Sequence, residues 1–149
     1  MLDDHQVIDI YTGMPLASQS FDRLGPLSID HFIPWSFVLH DELWNLLPSF
    51  RDVNSSKSDR LPDLGEYLDA FCRQQFDAVL TVRDRGHRRK ALDSYVTIGA
   101  DVRNYVRNQT SLDHFSNAMV ATLDPLHQIA RNNGFSLWRP RVEHWVVSL

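Results

Sequence analysis

The chain has 149 residues, of which 43% are apolar and 23% are charged, and it carries a formal net charge of −4. This length and composition predict a globular protein with one buried core, while a single cysteine excludes a disulfide framework and favours a reducing, cytoplasmic location. Because no apolar run approaches about 18 residues and the first residues are acidic rather than basic, neither a membrane span nor a secretory signal is expected.

Two short strands are predicted in the first half of the chain. Residues 27–29 alternate apolar and polar side chains, which is typical of a half-buried strand, and Pro34 ends regular pairing after them. Residues 45–50 are interpreted as the second strand. Because successive side chains of a strand point to opposite faces, Asp30 and His31 are expected to diverge.

A short helix is predicted to follow the second strand. Asp52 could cap it, and the helix would then run over residues 53–58. Asn54 and Lys57 are three residues apart, so on a helix they share one face and would point into the same cleft. Two strands and one helix would therefore surround a single site. Residues 40–42, a His-Asp-Glu run between these elements, are expected to form a solvated loop.

Three of these side chains are the types that metal-assisted hydrolysis of a phosphodiester needs. His31 titrates near neutral pH and could take a proton from water, while Asp30 and Asn54 offer one carboxylate oxygen and one amide oxygen to a cation. Such hard ligands favour Mg²⁺ or Mn²⁺, and no cysteine lies near them in the sequence to favour a softer metal.

The spacing of these residues resembles that of the HNH endonucleases, whose core is the ββα-metal motif. The resemblance is closest to the HNH domains of the RNA-guided CRISPR effector nucleases. Fourteen residues separate His31 from Asn45, nine separate Asn45 from Asn54, and three separate Asn54 from Lys57, before a Ser-Asp pair. The upstream Tyr-Thr-Gly of residues 11–13 is also similar to the first hairpin of that family.

The resemblance implies a role for each residue of the motif. Asp30 and Asn54 would be metal ligands and His31 the general base. Asn45 would brace the loop and hold the backbone of His31. Lys57 would contact the phosphate or the transition state.

The likeness covers about residues 6–62 and departs from the family in one respect. Many HNH proteins carry two Cys-x-x-Cys zinc sites around this core. Here Asp9 and Thr12 stand where the first pair would fall, and the sole cysteine is Cys72. No structural zinc is therefore expected, and packing must hold the core together.

The second half of the chain has a helical pattern. Apolar residues recur with helical spacing over residues 62–82, and Cys72 lies on that stripe as an expected core residue. Two further helices are predicted at residues 88–98 and 101–107. Ser111 is predicted to cap another helix, whose buried face would consist of Leu112, Phe115, Met119 and Leu123. A new helix is predicted to start at Asp124-Pro125 and to stop at Asn133-Gly134. The tail from Phe135, with Trp138, Trp145, Val146 and Val147, is expected to pack on the core, and a closing strand or a partner dock are the alternatives.

The predicted fold class is α+β. Residues 1–62 would form the small ββα-metal core, and residues 63–149 would form an α-helical layer packed on it as one compact unit. A ββα unit alone buries little apolar surface, so the layer is interpreted as a scaffold, with an adaptor role as the further option.

The net charge bears on how a substrate would reach such a site. Lys and Arg supply most of the non-specific affinity for DNA, so a chain of net charge −4 would need a local basic patch or a partner that delivers the DNA. One basic run is a candidate for contact with the DNA backbone, although such runs are more often solvated segments; it consists of Arg83, Arg85, Arg88, Arg89 and Lys90.

The favoured function is a Mg²⁺- or Mn²⁺-dependent endonuclease that nicks DNA. By resemblance it would be the cleaving module of a complex against foreign DNA, with a guide RNA or another nucleoprotein as partner. A stand-alone restriction-type or nicking enzyme is the first alternative. A non-catalytic adaptor that retains the HNH fold is the alternative from another class.

Overall fold

The computed structural model describes residues 6–86 and 89–140. Its helices are α1 (Ser18–Leu24), α2 (Trp35–Val38), α3 (Arg51–Lys57), α4 (Leu64–Asp84), α5 (Asp93–Val96) and α6 (Gln109–Asn132), and its strands are β1 (Leu27–His31) and β2 (Leu46–Phe50). Short 3-10 helices span Leu43–Asn45, Arg89–Leu92 and Val102–Asn104. The predicted α+β class is confirmed, with a two-stranded antiparallel sheet followed by a helical C-terminal region. Within the described ranges, no helix combines the length and the apolar character that crossing a membrane requires.

The two strands form one antiparallel ladder, and its register decides which side chains meet α3. The ladder ends at the pair of His31 with Leu46. Alternation places Ser28 and Asp30 on the face that α3 covers, where Asp30 is only 3% exposed, and places His31 on the opposite face. The predicted divergence of Asp30 and His31 is confirmed.

Helix α3 begins earlier than the sequence predicts. Asp52 lies in its first turn, and Phe50 occupies the N-cap position in an extended conformation without a side-chain cap. The predicted cap at Asp52 was therefore wrong. The chain turns directly from β2 into the helix because Phe50 is fully buried and the amide of Arg51 donates to the carbonyl of Pro26 at 2.9 Å. Asp52 still places a negative charge at the positive end of the helix.

A buried carboxylate joins the N-terminal hairpin to the end of β2. Asp9 is 0% exposed, and one of its oxygens accepts hydrogen bonds from the amides of Tyr11 and Thr12 at 2.8 and 3.0 Å. The other oxygen accepts from the hydroxyl of Ser49 at 2.6 Å and from the amide of Phe50 at 3.1 Å. Asp9 thus makes a cross-link at the position where the resemblance would place a zinc-binding cysteine.

We expect Asp9→Ala to destabilise the protein by about 3 kcal/mol or more, because four buried donors would lose their acceptor. Urea denaturation measures the free energy of unfolding. Asp69→Ala is the matched control, since the Asp69 side chain is 82% exposed and pairs only with Arg73 on the helix surface; its loss should be about 0.5 kcal/mol or less. Equal stability losses in the two variants would contradict the cross-linking role of Asp9.

The long helices α4 and α6 form the layer behind the ββα unit. Both have side-chain caps: Asp63 accepts from the amide of Glu66, and Asn108 accepts from the amide of Ser111. Helix α4 contacts α6 on one side and the ββα unit on the other, where the ring of Phe71 stacks on that of Phe32 at 4.3 Å between centroids. This arrangement is what supports the small sheet from behind.

The chain returns to the ββα unit after α6. Trp138 is 1% exposed, its indole nitrogen donates to the hydroxyl of Ser56 at 3.3 Å, and its amide donates to the carbonyl of Leu61 at 2.7 Å. A single parallel bridge joins Leu61 to Leu137 in this region. The expected core packing of the tail is confirmed for Trp138, whereas Trp145, Val146 and Val147 lie outside the described residues.

The structure corrects the prediction of a helix restart at Asp124-Pro125. Helix α6 runs without interruption from Gln109 to Asn132, with Pro125 inside it. The lost backbone hydrogen bond is tolerated because the buried stripe of Phe115, Met119 and Leu123 continues beyond Pro125 to the buried Ala130, and α6 packs on α4. The predicted stop at Asn133-Gly134 is confirmed by the end of α6.

Other helix boundaries also differ from the sequence-based predictions. The predicted Ser111 cap was wrong, because Asn108 takes that position and Ser111 supplies the amide that it caps. The helix predicted at 88–98 is a 3-10 turn followed by the four-residue α5, and Arg88 lies outside the described residues. The helix predicted at 101–107 is reduced to the 3-10 turn Val102–Asn104. In these short segments local propensity is weak, and packing sets the ends.

Candidate functional site

The site is built around Asp30 near the end of β1. Its Oδ2 accepts a hydrogen bond from the hydroxyl of Tyr11 at 2.6 Å, and its Oδ1 pairs with Nζ of Lys57 at 3.2 Å. Lys57 is 0% exposed and also donates to the carbonyl of His31 at 2.7 Å. The end of α3 is therefore attached to the end of β1 through one buried ammonium group.

Burial and charge act in opposite directions on these groups. Burial raises the pKa of Asp30, while the ammonium of Lys57 and the hydroxyl of Tyr11 act to lower it. Burial lowers the pKa of Lys57, and the Asp30 carboxylate opposes that change. Burial and the nearby Asp30 charge raise the pKa of Tyr11 well above its usual value, so its hydroxyl remains a donor.

His31 lies on the other face of the strand and contacts a residue that the sequence analysis assigned to a solvated loop. Its Nε2 lies 2.7 Å from Oδ1 of Asp41. The Asp41 side chain is 74% exposed, so the pair adds about 1 kcal/mol or less to stability. Its effect is geometric: the contact orients the imidazole ring, and in the tautomer that donates Nε2–H to Asp41 the Nδ1 atom is the acceptor.

Asn45 holds the segment that follows His31. Its side chain is fully buried, accepts from the amide of Ile33 at 2.8 Å and donates to the carbonyl of Ile33 at 2.9 Å. Its own carbonyl accepts from the amide of Phe32 at 2.8 Å. The bracing contacts thus fall on residues 32 and 33, whereas the carbonyl of His31 is held by Lys57.

Asn54 projects from α3 across β1. Its side-chain nitrogen donates to the hydroxyl of Ser28 at 2.9 Å and to the carbonyl of Ile29 at 3.2 Å. Its Oδ1 receives no hydrogen bond from any residue in the ranges that the structure describes. The amide is therefore fixed through its nitrogen, with its oxygen available, one residue along β1 from Asp30.

These oxygens suit a hard cation rather than a soft one. Within residues 6–86 and 89–140, no group of three or more His, Cys, Asp or Glu side chains could hold a metal. Mg²⁺ often takes only one or two carboxylates, with water and phosphate oxygens as the other ligands. Asp30 has about four lone-pair positions and uses two of them, and Oδ1 of Asn54 is available. The donor set is therefore of the kind that a hard divalent cation takes.

The basic run does not face this site as a unit. The guanidinium of Arg83 is directed into the scaffold, where it donates to the carbonyls of Val102 and Tyr105 and pairs with Asp84 at 2.9 Å. Its side chain is only 23% exposed, so its charge is already used within the protein.

Other members of the run differ from Arg83. Arg85 and Lys90 are exposed. Arg88 lies outside the described residues, and so does the side chain of Arg89. Contact with DNA at this run stays a prediction, which the geometry favours less at Arg83 than at Arg85 and Lys90.

Three positions contribute to the site in ways that spacing alone did not reveal. The sequence identified Tyr11 only as part of a hairpin motif and Asp41 only as a loop residue. It identified Asp9 only as the residue that stands where the family has a zinc-binding cysteine. Their contacts across the fold join residues 10 to 41 positions apart in the chain. The only advance signal was the upstream Tyr-Thr-Gly, which marked the hairpin but not the contact of its tyrosine.

One comparison with known proteins gives a match to this chain. A family model described as HNH endonuclease matches residues 9–63, the segment that contains every candidate residue of the ββα unit. No curated protein and no solved structure gives a match. The match indicates a nuclease and a nucleic-acid substrate, and it does not separate CRISPR effectors from other HNH proteins.

We expect Asn45→Ala to lower the free energy of unfolding by about 2 to 4 kcal/mol, because a buried amide and a buried carbonyl of Ile33 would both lose their partner. Urea denaturation provides the measurement. Asn132→Ala at the exposed end of α6 is the control and should change stability by about 0.5 kcal/mol or less. An Asn45→Ala protein as stable as the control would show that the segment after His31 needs no brace.

Proposed function

We propose that this protein is a Mg²⁺- or Mn²⁺-dependent endonuclease that hydrolyses DNA phosphodiester bonds and nicks one strand per site. One observation carries the proposal: α3 lays the Asn54 amide across β1, one residue from Asp30, while His31 follows Asp30 on the other face. The match of residues 9–63 to an HNH endonuclease model supports the same chemistry.

Each residue of the site would have a separate chemical role in the proposed reaction. Asp30 and Asn54 would hold the cation, which supplies Lewis-acid stabilisation of the phosphate and of the leaving oxygen. His31 would accept the proton of the attacking water at Nδ1, with its ring oriented by Asp41. Asn45 fixes the segment after His31 and so keeps the imidazole at a constant position relative to the strand.

The charge around the site supports delivery of the substrate by a partner. The segments that carry the motif present three exposed acids, Asp41, Asp52 and Asp59, against two exposed cations, Arg51 and Arg60. Arg51 pairs with Asp52 at 3.2 Å. Phosphate binding requires an excess of positive charge. We therefore favour a cleaving module loaded by a guide-RNA-containing or other nucleoprotein complex that acts against foreign DNA; the assignment to a CRISPR-like complex rests on resemblance alone.

The test is cleavage of supercoiled plasmid and of labelled single- and double-stranded DNA and RNA in Mg²⁺, Mn²⁺, Ni²⁺ or EDTA. We expect EDTA to abolish nicking and His31→Ala to slow it by about 10²- to 10⁴-fold, because the general base is lost. Asn54→Ala should raise the Mg²⁺ concentration for half-maximal cleavage by about tenfold or more. Nicking in EDTA, or undiminished nicking by His31→Ala, would exclude this mechanism.

Two control variants separate loss of chemistry from loss of folding. His127→Ala removes a half-buried imidazole whose Nε2 contacts the carbonyl of Pro62, and Asn132→Ala removes an exposed amide. Both should cut like the parent. Efficient nicking by the isolated parent would favour a stand-alone enzyme over a loaded module. Binding of nucleic acid without turnover under any metal would favour the adaptor.

A further inference from the structure

Lys57 does not occupy the position of a side chain that meets substrate. Its entire side chain is removed from solvent, and both partners of its ammonium belong to β1: the carboxylate of Asp30 and the carbonyl of His31. A lysine that contacts a phosphate must present its ammonium to the solvent from which the substrate arrives. The sequence-derived role of Lys57 as a phosphate contact therefore has no support in this geometry.

The same contacts give Lys57 another role. Asp30 is 3% exposed, and a buried carboxylate without a counter-charge is strongly unfavourable. The ammonium of Lys57 supplies that counter-charge at 3.2 Å, while Tyr11 fixes the other carboxylate oxygen. A divalent cation at Asp30 would bring a second positive charge to the same carboxylate.

We propose that Lys57 is a positioning residue that serves as the internal counter-cation of Asp30, and that a divalent cation competes with its ammonium for this carboxylate. The proposal rests on the proposed function, because it takes Asp30 as a metal ligand. It assigns Lys57 to the assembly of the site rather than to contact with substrate.

Because the ammonium and a divalent cation compete for one carboxylate, removal of Lys57 is expected to strengthen metal binding rather than to weaken it. Removing the ammonium should tighten metal binding by about tenfold or more, since two cations a few ångströms apart repel each other inside a protein. The same change should destabilise the metal-free protein, because Asp30 loses its partner. Damage to the structure alone would weaken metal binding, so tighter binding distinguishes the two explanations.

The first experiment uses the intact parent and needs no change at the site. The chain contains two lysines, Lys57 and the exposed Lys90, so ¹⁵N-labelled lysine gives a simple ammonium spectrum. We expect one slowly exchanging Nζ resonance in EDTA, retained in Lys90→Met and therefore assigned to Lys57. Adding Mg²⁺ should shift or broaden this resonance, with the same midpoint as Mg²⁺ binding measured by calorimetry.

The second experiment compares thermal unfolding of parent, Lys57→Met and Lys90→Met at about pH 8, in EDTA and across a Mg²⁺ titration. Lys57→Met should unfold at a lower temperature in EDTA and recover more of its stability with Mg²⁺ than the parent gains, as expected for a ligand that binds only the folded state. Lys90→Met should follow the parent in both conditions. If Lys57→Met does not fold in EDTA, the parent spectrum still decides the question.

The outcomes separate this inference from the proposed function. If the parent binds Mg²⁺ and cuts DNA but the Lys57 resonance does not respond, or if Lys57→Met binds Mg²⁺ no more tightly than the parent, the counter-cation role is wrong and the nuclease assignment stands. If the parent binds no divalent cation and cuts nothing with any metal, both the proposed function and this inference fail together.

Discussion

The buried pair of Lys57 and Asp30 is the contact on which the ββα unit depends. A lysine stem and a carboxylate, both almost completely removed from water, connect the C-terminal turn of α3 to the end of β1. The Tyr11 hydroxyl and the His31 carbonyl add hydrogen bonds to the pair, and the carboxylate of Asp59 also acts on the Lys57 charge. Because two buried charges are tolerable only when they stay together, the pair restricts how α3 can lie on the sheet. The positions of Asn54 and His31 follow from that restriction.

The unit is held together by polar cross-links as much as by apolar packing. Asp9 ties the N-terminal hairpin to the end of β2 through four hydrogen bonds, and Asn45 ties the segment after β1 to the start of β2 through three. Each side chain holds a loop segment in a fixed position. Such contacts stabilise the small sheet, which has little hydrophobic core of its own. Helix α4 then supplies that core from behind, through Phe71 on Phe32 and through Gln75, whose amide donates to two carbonyls next to β2.

The side chains of the site and the charges on the surface around it bear on the proposed function in different ways. The site offers one carboxylate, one amide oxygen and one imidazole, which is enough for a single hard cation and an activated water. In the same segments the exposed acids Asp41, Asp52 and Asp59 outnumber the exposed cations Arg51 and Arg60. Arg83 of the basic run is bound to the scaffold. The proposed delivery of substrate by another component follows from this charge balance, because binding of phosphates depends on positive charge.

The sequence by itself determined the local features of the site. Period-two alternation separated Asp30 from His31, the three-residue spacing put Asn54 and Lys57 on one face of α3, and the apolar stripe of α4 was visible from its periodicity. Tertiary structure alone decided the partners: Asp41 on His31, Tyr11 and Lys57 on Asp30, and Asp9 across to Ser49, which is 40 residues away. Tertiary packing also decided that α6 continues through Pro125, where the local sequence predicts that one helix ends and another starts. The physical reason is that periodicity records which face of an element is buried, whereas hydrogen-bond and ion-pair partners are fixed only when separate elements pack together.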